Sequence, residues 1–186
     1  AALSYILGTV LVAVAWRFGV LPASAALEVA AAFVAINLGL YLAIRSGFNL
    51  RFDDPSLTRF QMLTAITVLM YIVYHMDEGR NIALFGCFLL FLFGIYRLKA
   101  REFTLITLYT LAAYAAVINL LMYLRPQAIH YVSLEWMSWL MLAGWLPLFS
   151  VIGGQVSTLR RRLRESEMRF RSLTEMSSDF YWESDA

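Results

Sequence analysis

Six apolar runs, separated by short polar connections, constrain the fold of this chain more than any other feature. They cover residues 3–18, 24–44, 60–76, 82–96, 103–124 and 134–152. A helix that crosses a bilayer needs about 20 apolar residues, whereas the strands of a membrane barrel alternate with a period of two. The runs lack that alternation, although the fourth, with 15 residues, is short for a span. The pattern therefore predicts an all-α, polytopic membrane protein with six transmembrane helices.

The scarcity of charge excludes a soluble enzyme. Hydrophobic residues make up 61% of the chain and charged residues 15%, whereas about 25% of a typical soluble domain is charged. The single cysteine, Cys87, lies inside an apolar run, where it is interpreted as a small buried side chain rather than a disulfide or metal ligand.

The distribution of lysine and arginine predicts the orientation of the six helices. Cytoplasmic loops of membrane proteins carry an excess of these residues. Ten cations fall on one side, at positions 45, 51, 59, 97, 99, 101, 160, 161, 162 and 164. Only Arg17, Arg80 and Arg125 fall on the other side, next to Asp77, Glu78 and Glu135. Both termini are therefore expected to face the cytoplasm.

Two connections carry signals for local structure. Asp54 is a good N-cap and Pro55 suits the first position of a helix, so the third helix is expected to begin at residue 55, before the membrane. Residues 77–81 read Asp-Glu-Gly-Arg-Asn, which indicates a tight, solvated turn in which Gly79 supplies backbone freedom.

A polar helix is expected to follow the sixth span. With Val156, Leu163 and Phe170 at position a of a heptad, position d holds Leu159, Ser166 and Leu173. This pattern is typical of a short coiled coil and predicts a homodimer, although an isolated surface helix can show the same stripe. The chain divides accordingly into a membrane module (1–153), a juxtamembrane signalling helix (154–174) and a final segment (175–186).

The final segment resembles the start of a PAS domain. Residues 167–185 read EMRFRSLTEMSSDFYWESD, similar to the lead-in helix, the Ser-x-Asp turn and the aromatic first strand of such domains. Phe180 and Trp182 alternate with Tyr181 and Glu183, as a half-buried strand requires. The resemblance covers about the last 20 residues and implies that a PAS domain begins here.

The membrane module resembles the six-helix N-terminal modules of bacterial diguanylate cyclases. The similar stretches are DPSLTxxQ (54–61), FGIYRL (93–98) and Gly153-Gly154 ahead of LRRRLR (159–164). The resemblance implies a multi-pass protein of the bacterial inner membrane, which relays a signal to PAS and a GGDEF domain that makes cyclic-di-GMP. A sensor histidine kinase, a passive anchor and a small-molecule transporter are the alternatives. The chain itself carries no catalytic motif.

Two sets of residues are candidates for function. Ionisable groups in spans are expensive, so Glu28, His75 and Glu135, with Tyr71, Tyr74 and Trp139, are candidates to line an outward-facing cavity for a small amphipathic ligand. The alternative is that each side chain separately meets headgroups and water. The candidates for signal relay are Pro147, Gly153 and Gly154 as bending points, and Val156, Leu159, Leu163 and Phe170 as the dimer seam.

Other sites and partners receive less support. Haem is not expected, because His75 lies at the edge of a span and His130 in a loop, and their spacing from Asp77 and Glu78 matches no zinc site. Asn37 and Asn119 lie deep in spans, where hydrogen bonds between helices are expected. The basic cluster at residues 160–164 is expected either to bind anionic lipid headgroups of the bilayer or to act only as the topological stop signal, and nucleic acid is not expected as a partner.

Overall fold

All regular structure in the described residues is helical. The computed structural model describes residues 2–52, 54–95 and 98–182 of the chain. Its α-helices are α1 (Ala2–Arg17), α2 (Ala23–Arg45), α3 (Thr58–His75), α4 (Arg80–Gly94), α5 (Ala100–Leu124) and α6 (Val132–Trp182). Two short 3₁₀ helices, Phe48–Arg51 and Pro126–Ala128, lie in the connections. Each predicted run falls on one of these helices, so the all-α prediction is confirmed.

Three helices in the described part of the chain are long and apolar enough to cross a membrane. They are Ala23–Arg45, Ala100–Leu124 and the segment Val132–Val156 of α6. Two further apolar helical segments, Ile6–Arg17 and Arg80–Gly94, are shorter. Apolar side chains also cover much of the outer surface, for example Ile82, Leu105 and Leu140. These are the helices of a membrane protein.

Helices α3, α4, α5 and α6 share the main core. Its fully buried side chains come from all four helices and include Ile66, Phe91, Ile118 and Leu146. A second cluster, formed by Val12, Leu21, Ala25, Val29 and Met76, attaches the hairpin of α1 and α2 to α3. The molecule is therefore a four-helix core with a helical hairpin packed on one of its members.

The connections gather at two ends of the bundle. At one end a Cβ on Gly79 would lie 3.6 Å from Val20, and Arg80 reaches the carbonyl of Ala128, so the α1–α2, α3–α4 and α5–α6 connections meet. We call this the Arg80 end. At the other end, which we call the Phe103 end, Arg59 lies 3.5 Å from Glu102, and Phe103 contacts α4 and α6. Successive helices thus run up and down between the two ends.

Helix α3 begins at Thr58, three residues later than predicted. A turn precedes it, in which the N–H of Leu57 donates to the carbonyl of Asp54 (2.9 Å) and Leu57 takes a positive φ of 52°. The helix cannot extend back through a left-handed residue. The carboxylate of Asp54 still caps α3, because it accepts the N–H of Arg59 at 3.1 Å and both the N–H and the hydroxyl of Ser56.

The hydrogen bonds that Asp54 accepts also affect the pKa of its carboxyl group. Partial burial raises the pKa of its carboxyl group, but the hydrogen bonds from Ser56, Arg59 and Thr58 favour the charged form. The pKa of Asp54 therefore lies below its ordinary value of 3.8.

Helix α6 continues through residues 180–182, where the sequence predicts the first strand of a PAS domain. A strand needs hydrogen bonds from a neighbouring strand, whereas a helix makes its own. The described residues contain no strand that could supply them. Residue 183 and those after it lie outside the described residues, and the PAS assignment stays a prediction.

Candidate functional site

The side chain of Arg80 lies inside the protein at the Arg80 end, although the sequence predicts a solvated turn there. Gly79 supplies the expected positive φ of 72°, and α4 begins at the next residue. From this first helical position the guanidinium folds back, so that Nε donates to the carbonyl of Met76 (2.7 Å) and Nη2 donates to the carbonyl of Ala128 (2.6 Å). Arg80 is only 5% exposed. The prediction of a wholly solvated turn is therefore wrong for this residue.

Glu135 balances the charge of Arg80. Nη1 of Arg80 donates to Oε1 of Glu135 at 2.7 Å, and the hydroxyl of Tyr114 donates to Oε2 at 2.8 Å. Both carboxylate oxygens of Glu135 thus accept a hydrogen bond, and its exposure is 8%. Taking an unpaired ion out of water costs several kcal/mol, so neither charge would be stable here without the other.

This polar network, defined as Arg80, Tyr114 and Glu135, connects the helices of the main core. Arg80 belongs to α4, Tyr114 to α5 and Glu135 to the first turn of α6. The carbonyl groups of Met76 and Ala128 add the end of α3 and the α5–α6 connection. Since hydrogen bonds are directional, the network fixes the position of α6 along its axis relative to α4 and α5.

A cavity of about 270 Å³ adjoins the network. Its polar lining consists of Asp77, Glu78, Arg80, Asn81, His130, Tyr131 and Glu135. The cavity has an exposed rim, since the side chain of Asp77 is 61% exposed and Tyr131 is 68% exposed. Arg125 pairs with Asp77 at 3.0 Å and also donates to the carbonyl of Tyr74 at 3.0 Å.

The structure brings four of the six predicted ligand residues together, away from this cavity. The hydroxyl of Tyr71 on α3 donates to the carboxylate of Glu28 on α2. The ring of His75 lies 4.2 Å from the ring of Tyr71 and 5.0 Å from that of Tyr74, between centroids. The Nδ1 atom of His75 lies 3.0 Å from the carbonyl oxygen of Tyr71. We call these four residues the α2–α3 cluster.

The other two predicted ligand residues, Glu135 and Trp139, lie on α6. Glu135 belongs to the polar network, and the indole N–H of Trp139 donates to the carbonyl of Leu111 on α5 at 2.9 Å. Among the described residues, no hydrogen bond, ion pair or ring contact connects Glu135 to Glu28 or His75. The six residues therefore form two groups.

Sequence analysis identified Glu135 but missed its partner. A buried carboxylate needs a compensating charge, and the sequence places more than one cation on this side of the predicted topology. Arg80 was assigned to the turn because it follows the polar residues Asp77, Glu78 and Gly79. One signal could have identified it: Arg80 and Glu135 are an arginine and an acid at the start of two apolar helices, on the same side of the predicted topology.

The two deep asparagines do not connect helices through the hydrogen bonds that the structure shows. Nδ2 of Asn37 donates to the carbonyl of Phe33 at 2.8 Å, and Nδ2 of Asn119 donates to that of Ala115 at 2.7 Å. Each donor uses the carbonyl four residues earlier, which the same helix places within reach. The prediction of hydrogen bonds between helices is therefore wrong for these donors.

At the Phe103 end, Gly153 is a packing position. A Cβ atom on Gly153 would lie 2.7 Å from Cε2 of Phe103, and one on Gly94 would lie 3.0 Å from Cζ of the same ring. Gly154 similarly allows Ala100 to approach α6. These contacts give Gly153 and Gly154 a close-packing role. Helix α6 is continuous through Pro147, Gly153 and Gly154, and their role as bending points stays a prediction.

Beyond Gly154 the apolar side chains of α6 are largely exposed. Leu159 is 59% exposed, Leu163 60% and Phe170 73%. Val156 precedes them, at the end of the apolar segment Val132–Val156. The four residues of the predicted dimer seam thus lie where α6 leaves the bundle, and Leu159, Leu163 and Phe170 expose more than half of their surface.

Comparison with known proteins adds no family to this description. The chain matches no protein-family model, no curated protein and no solved structure. In the described part of the chain, no three His, Cys, Asp or Glu side chains form a group that could hold a metal ion.

Proposed function

We propose that this chain is the transmembrane sensor and anchor module of a bacterial signalling protein. Its six helices cross the inner membrane with both termini in the cytoplasm, so the Arg80 end faces outward and the Phe103 end faces inward. The ten-to-three distribution of cations supports this orientation. The alternation of helices between the two ends supports the six crossings, with α4, of 15 residues, in a locally thinned bilayer.

The continuity of α6 is the observation that carries the proposal. One unbroken helix, Val132–Trp182, holds Glu135 of the polar network near its start and the exposed Leu159, Leu163 and Phe170 beyond the bundle. A helix rises about 1.5 Å per residue, so a displacement at one end is transmitted over a distance greater than a bilayer thickness. A passive anchor has no need for a buried ion pair on the same helix that leaves the membrane.

The proposed signal acts on the outward-facing half of the bundle. A small amphipathic molecule bound at the α2–α3 cluster would compete with the hydrogen bond between Tyr71 and Glu28. Helix α3 ends at His75, and Met76 follows with its carbonyl bound to Arg80, so a shift of α3 reaches the polar network directly. A ligand can change the equilibrium only if it binds the two arrangements with different affinity.

The proposed output lies downstream of α6. Two copies of the chain associate through Val156, Leu159, Leu163 and Phe170, and a rotation of the paired helices changes the spacing of the domains that follow. The resemblance of residues 167–185 to a PAS start, and of residues 54–61 and 93–98 to diguanylate cyclase modules, supports cyclic-di-GMP synthesis as the output. A histidine kinase is the second candidate, because it uses the same arrangement of anchor, helix and output.

Insertions into α6 test the relay in cells that carry the full-length protein. One to seven alanines are inserted after Arg164, and cellular cyclic-di-GMP is measured. Each residue rotates the downstream helix by about 100°, so a relay gives an output that oscillates and returns near the starting level at seven residues. An output independent of insert length favours a passive anchor. Autophosphorylation from ATP in place of cyclic-di-GMP favours the kinase.

A transporter is the rival of a different class. Transporters of known types have repeated halves and interrupted helices with polar sites near the middle of the bilayer. The polar network instead lies at one end of the bundle, and α6 is unbroken. Uptake or export that depends on Glu135 but leaves the output unchanged would favour transport.

A further inference from the structure

The exposed apolar seam of α6 does not begin at the juxtamembrane helix. Within the bundle the same helix exposes Trp145 (57%), Leu148 (49%) and Ile152 (47%). From Trp145 through Leu148, Ile152, Leu159 and Leu163 to Phe170, every step is three, four or seven residues. Side chains at these spacings lie on one face of a helix. One apolar stripe therefore runs along α6 from the membrane into the extension.

Lipid can cover the part of this stripe that lies in the membrane, but not the part in the extension. Trp145, Leu148 and Ile152 belong to the apolar segment Val132–Val156, where lipid alone would suffice. Leu159, Leu163 and Phe170 lie beyond that segment, where exposed side chains of this size would face water. Burying these three side chains requires another protein surface. A partner helix that covers them lies along the same face of α6 that carries Ile152.

Charge identifies the partner as a second copy of this chain in parallel orientation. In the heptad that places Leu163 at position a, Arg162 is at position g and Glu167 at position e. In a parallel coiled coil, position g of one helix lies beside position e of the next heptad in its partner. Arg162 and Glu167 are both exposed and carry opposite charges.

We propose that two copies of this chain associate in parallel along the whole stripe of α6, from Trp145 in the membrane to Phe170, and that Arg162 of each copy pairs with Glu167 of the other to set the register. This extends the proposed dimer, on which it rests, into the bilayer. In this arrangement α6 forms the dimer interface and also connects the membrane helices to the output.

Disulfide cross-linking in native membranes tests the extent of the interface. Single cysteines are introduced in the full-length protein with Cys87→Ala as background. Ile152→Cys and Leu163→Cys are expected to cross-link. Val151→Cys is the matched control, because Val151 (58% exposed) is at least as accessible as Ile152 (47%) at nearly the same depth but rotated by about 100°. Equal cross-linking at positions 151 and 152 would overturn the membrane half of the interface.

Charge reversal tests the register in the same Leu163→Cys protein. Arg162→Glu and Glu167→Arg each place like charges together, and each is expected to lower the cross-linked fraction roughly three- to tenfold. The combination of both reversals should restore it. Arg161→Glu, at position f, changes the net charge equally and should have no effect. No loss in the single variants, or no recovery in the double variant, would overturn the pairing.

Cross-linking reports association and does not depend on the output. A stable dimer with an output insensitive to helix insertions would leave this interface intact and reject the relay. An output that oscillates with insert length, without cross-linking at position 163, would retain the relay and reject this interface.

Discussion

Arg80, the first residue of α4, and Glu135, in the first turn of α6, form an ion pair of 2.7 Å across 55 positions of sequence. The pair holds the start of α6 against the start of α4 in a part of the protein that water reaches poorly. Such a pair adds little net stability compared with apolar residues, but removing one partner leaves a buried charge without compensation. The pair is therefore suited to defining one arrangement of the helices.

Replacing only one member of the pair should be more harmful than replacing both. We expect Arg80→Met to lower the free energy of unfolding by about 3–5 kcal/mol, because Glu135 would keep a buried charge without its cation. The double variant Arg80→Met/Glu135→Met should lose clearly less than the sum of the single variants. Unfolding in detergent micelles measures the four proteins of this cycle. Additive losses would contradict a direct coupling between the two side chains.

The hydroxyl group of Tyr114 should contribute through Glu135. Tyr114→Phe removes a hydrogen bond of 2.8 Å to a carboxylate and should cost about 1.5–3 kcal/mol. Tyr109→Phe, on the same helix, is the control, because its hydroxyl bonds the hydroxyl of Thr67 at a site where Tyr109 is 37% exposed. In a Glu135→Met background the effect of Tyr114→Phe should largely disappear. Equal effects of the two tyrosine variants would argue against the network.

The elements of this fold were predictable because their signals are local. Apolar runs of about 20 residues and the polar residues between them determine where membrane helices begin and end, and these predictions differ from the structure by a few residues. At α3 the deviation is three residues, because Asp54 caps the helix from beyond a turn with Leu57 at positive φ. A capping side chain can act from several positions, so its identity predicts a cap better than it predicts the first helical residue.

The contacts between distant residues were not predictable in the same way. Glu135 is recognisable from the sequence as a costly residue, but the shared position of Arg80 and Glu135 at the start of two apolar helices only suggests that they pair. Likewise, a glycine pair after a span is compatible either with a bend or with close packing. The structure shows close packing at Gly153, because the ring of Phe103 lies against it. The candidate site thus depends on packing between helices, for which one sequence contains no direct signal.

The cap formed by Asp54 should make stability depend on pH. Because the pKa of Asp54 is lowered in the folded protein, its contribution is present above the ordinary pKa of 3.8 and is lost as the pH falls through the folded value. Asp54→Ala removes this contribution at neutral pH. The difference in free energy of unfolding between wild type and variant, measured from about pH 6 to about pH 3, should therefore shrink as the pH falls. A constant difference would exclude the charge of Asp54 as its cause.

The two ends of the bundle should differ in their access to reagents outside the cell. With Cys87→Ala as background, a membrane-impermeant maleimide should label Asn81→Cys at the Arg80 end in intact cells. Arg101→Cys, at the Phe103 end, should react only after the cells are opened. Both residues are exposed in the structure, so the comparison depends on sidedness. Labelling of Arg101→Cys in intact cells would overturn the proposed orientation.

Gly153 offers a direct test of packing at the Phe103 end. The ring of Phe103 is fully buried between Gly94 and Gly153 and has the ring of Phe91 at 6.0 Å between centroids, so it cannot move away from an added methyl group. We expect Gly153→Ala to lower the free energy of unfolding by about 1–3 kcal/mol, as overpacking does in other cores.

Gly144 on the same helix is the matched control for Gly153. No atom lies within 4 Å of a Cβ added there, so Gly144→Ala should gain up to about 1 kcal/mol from helix propensity. Phe103→Leu combined with Gly153→Ala should lose less than the sum of the two single variants, because the smaller side chain makes room for the methyl group. If Gly153 served only as a site of bending, Gly153→Ala would change stability in the same direction as Gly144→Ala. A loss of stability confined to Gly153, and relieved by a smaller residue at position 103, would instead identify this glycine as the contact that seats α6 against α5.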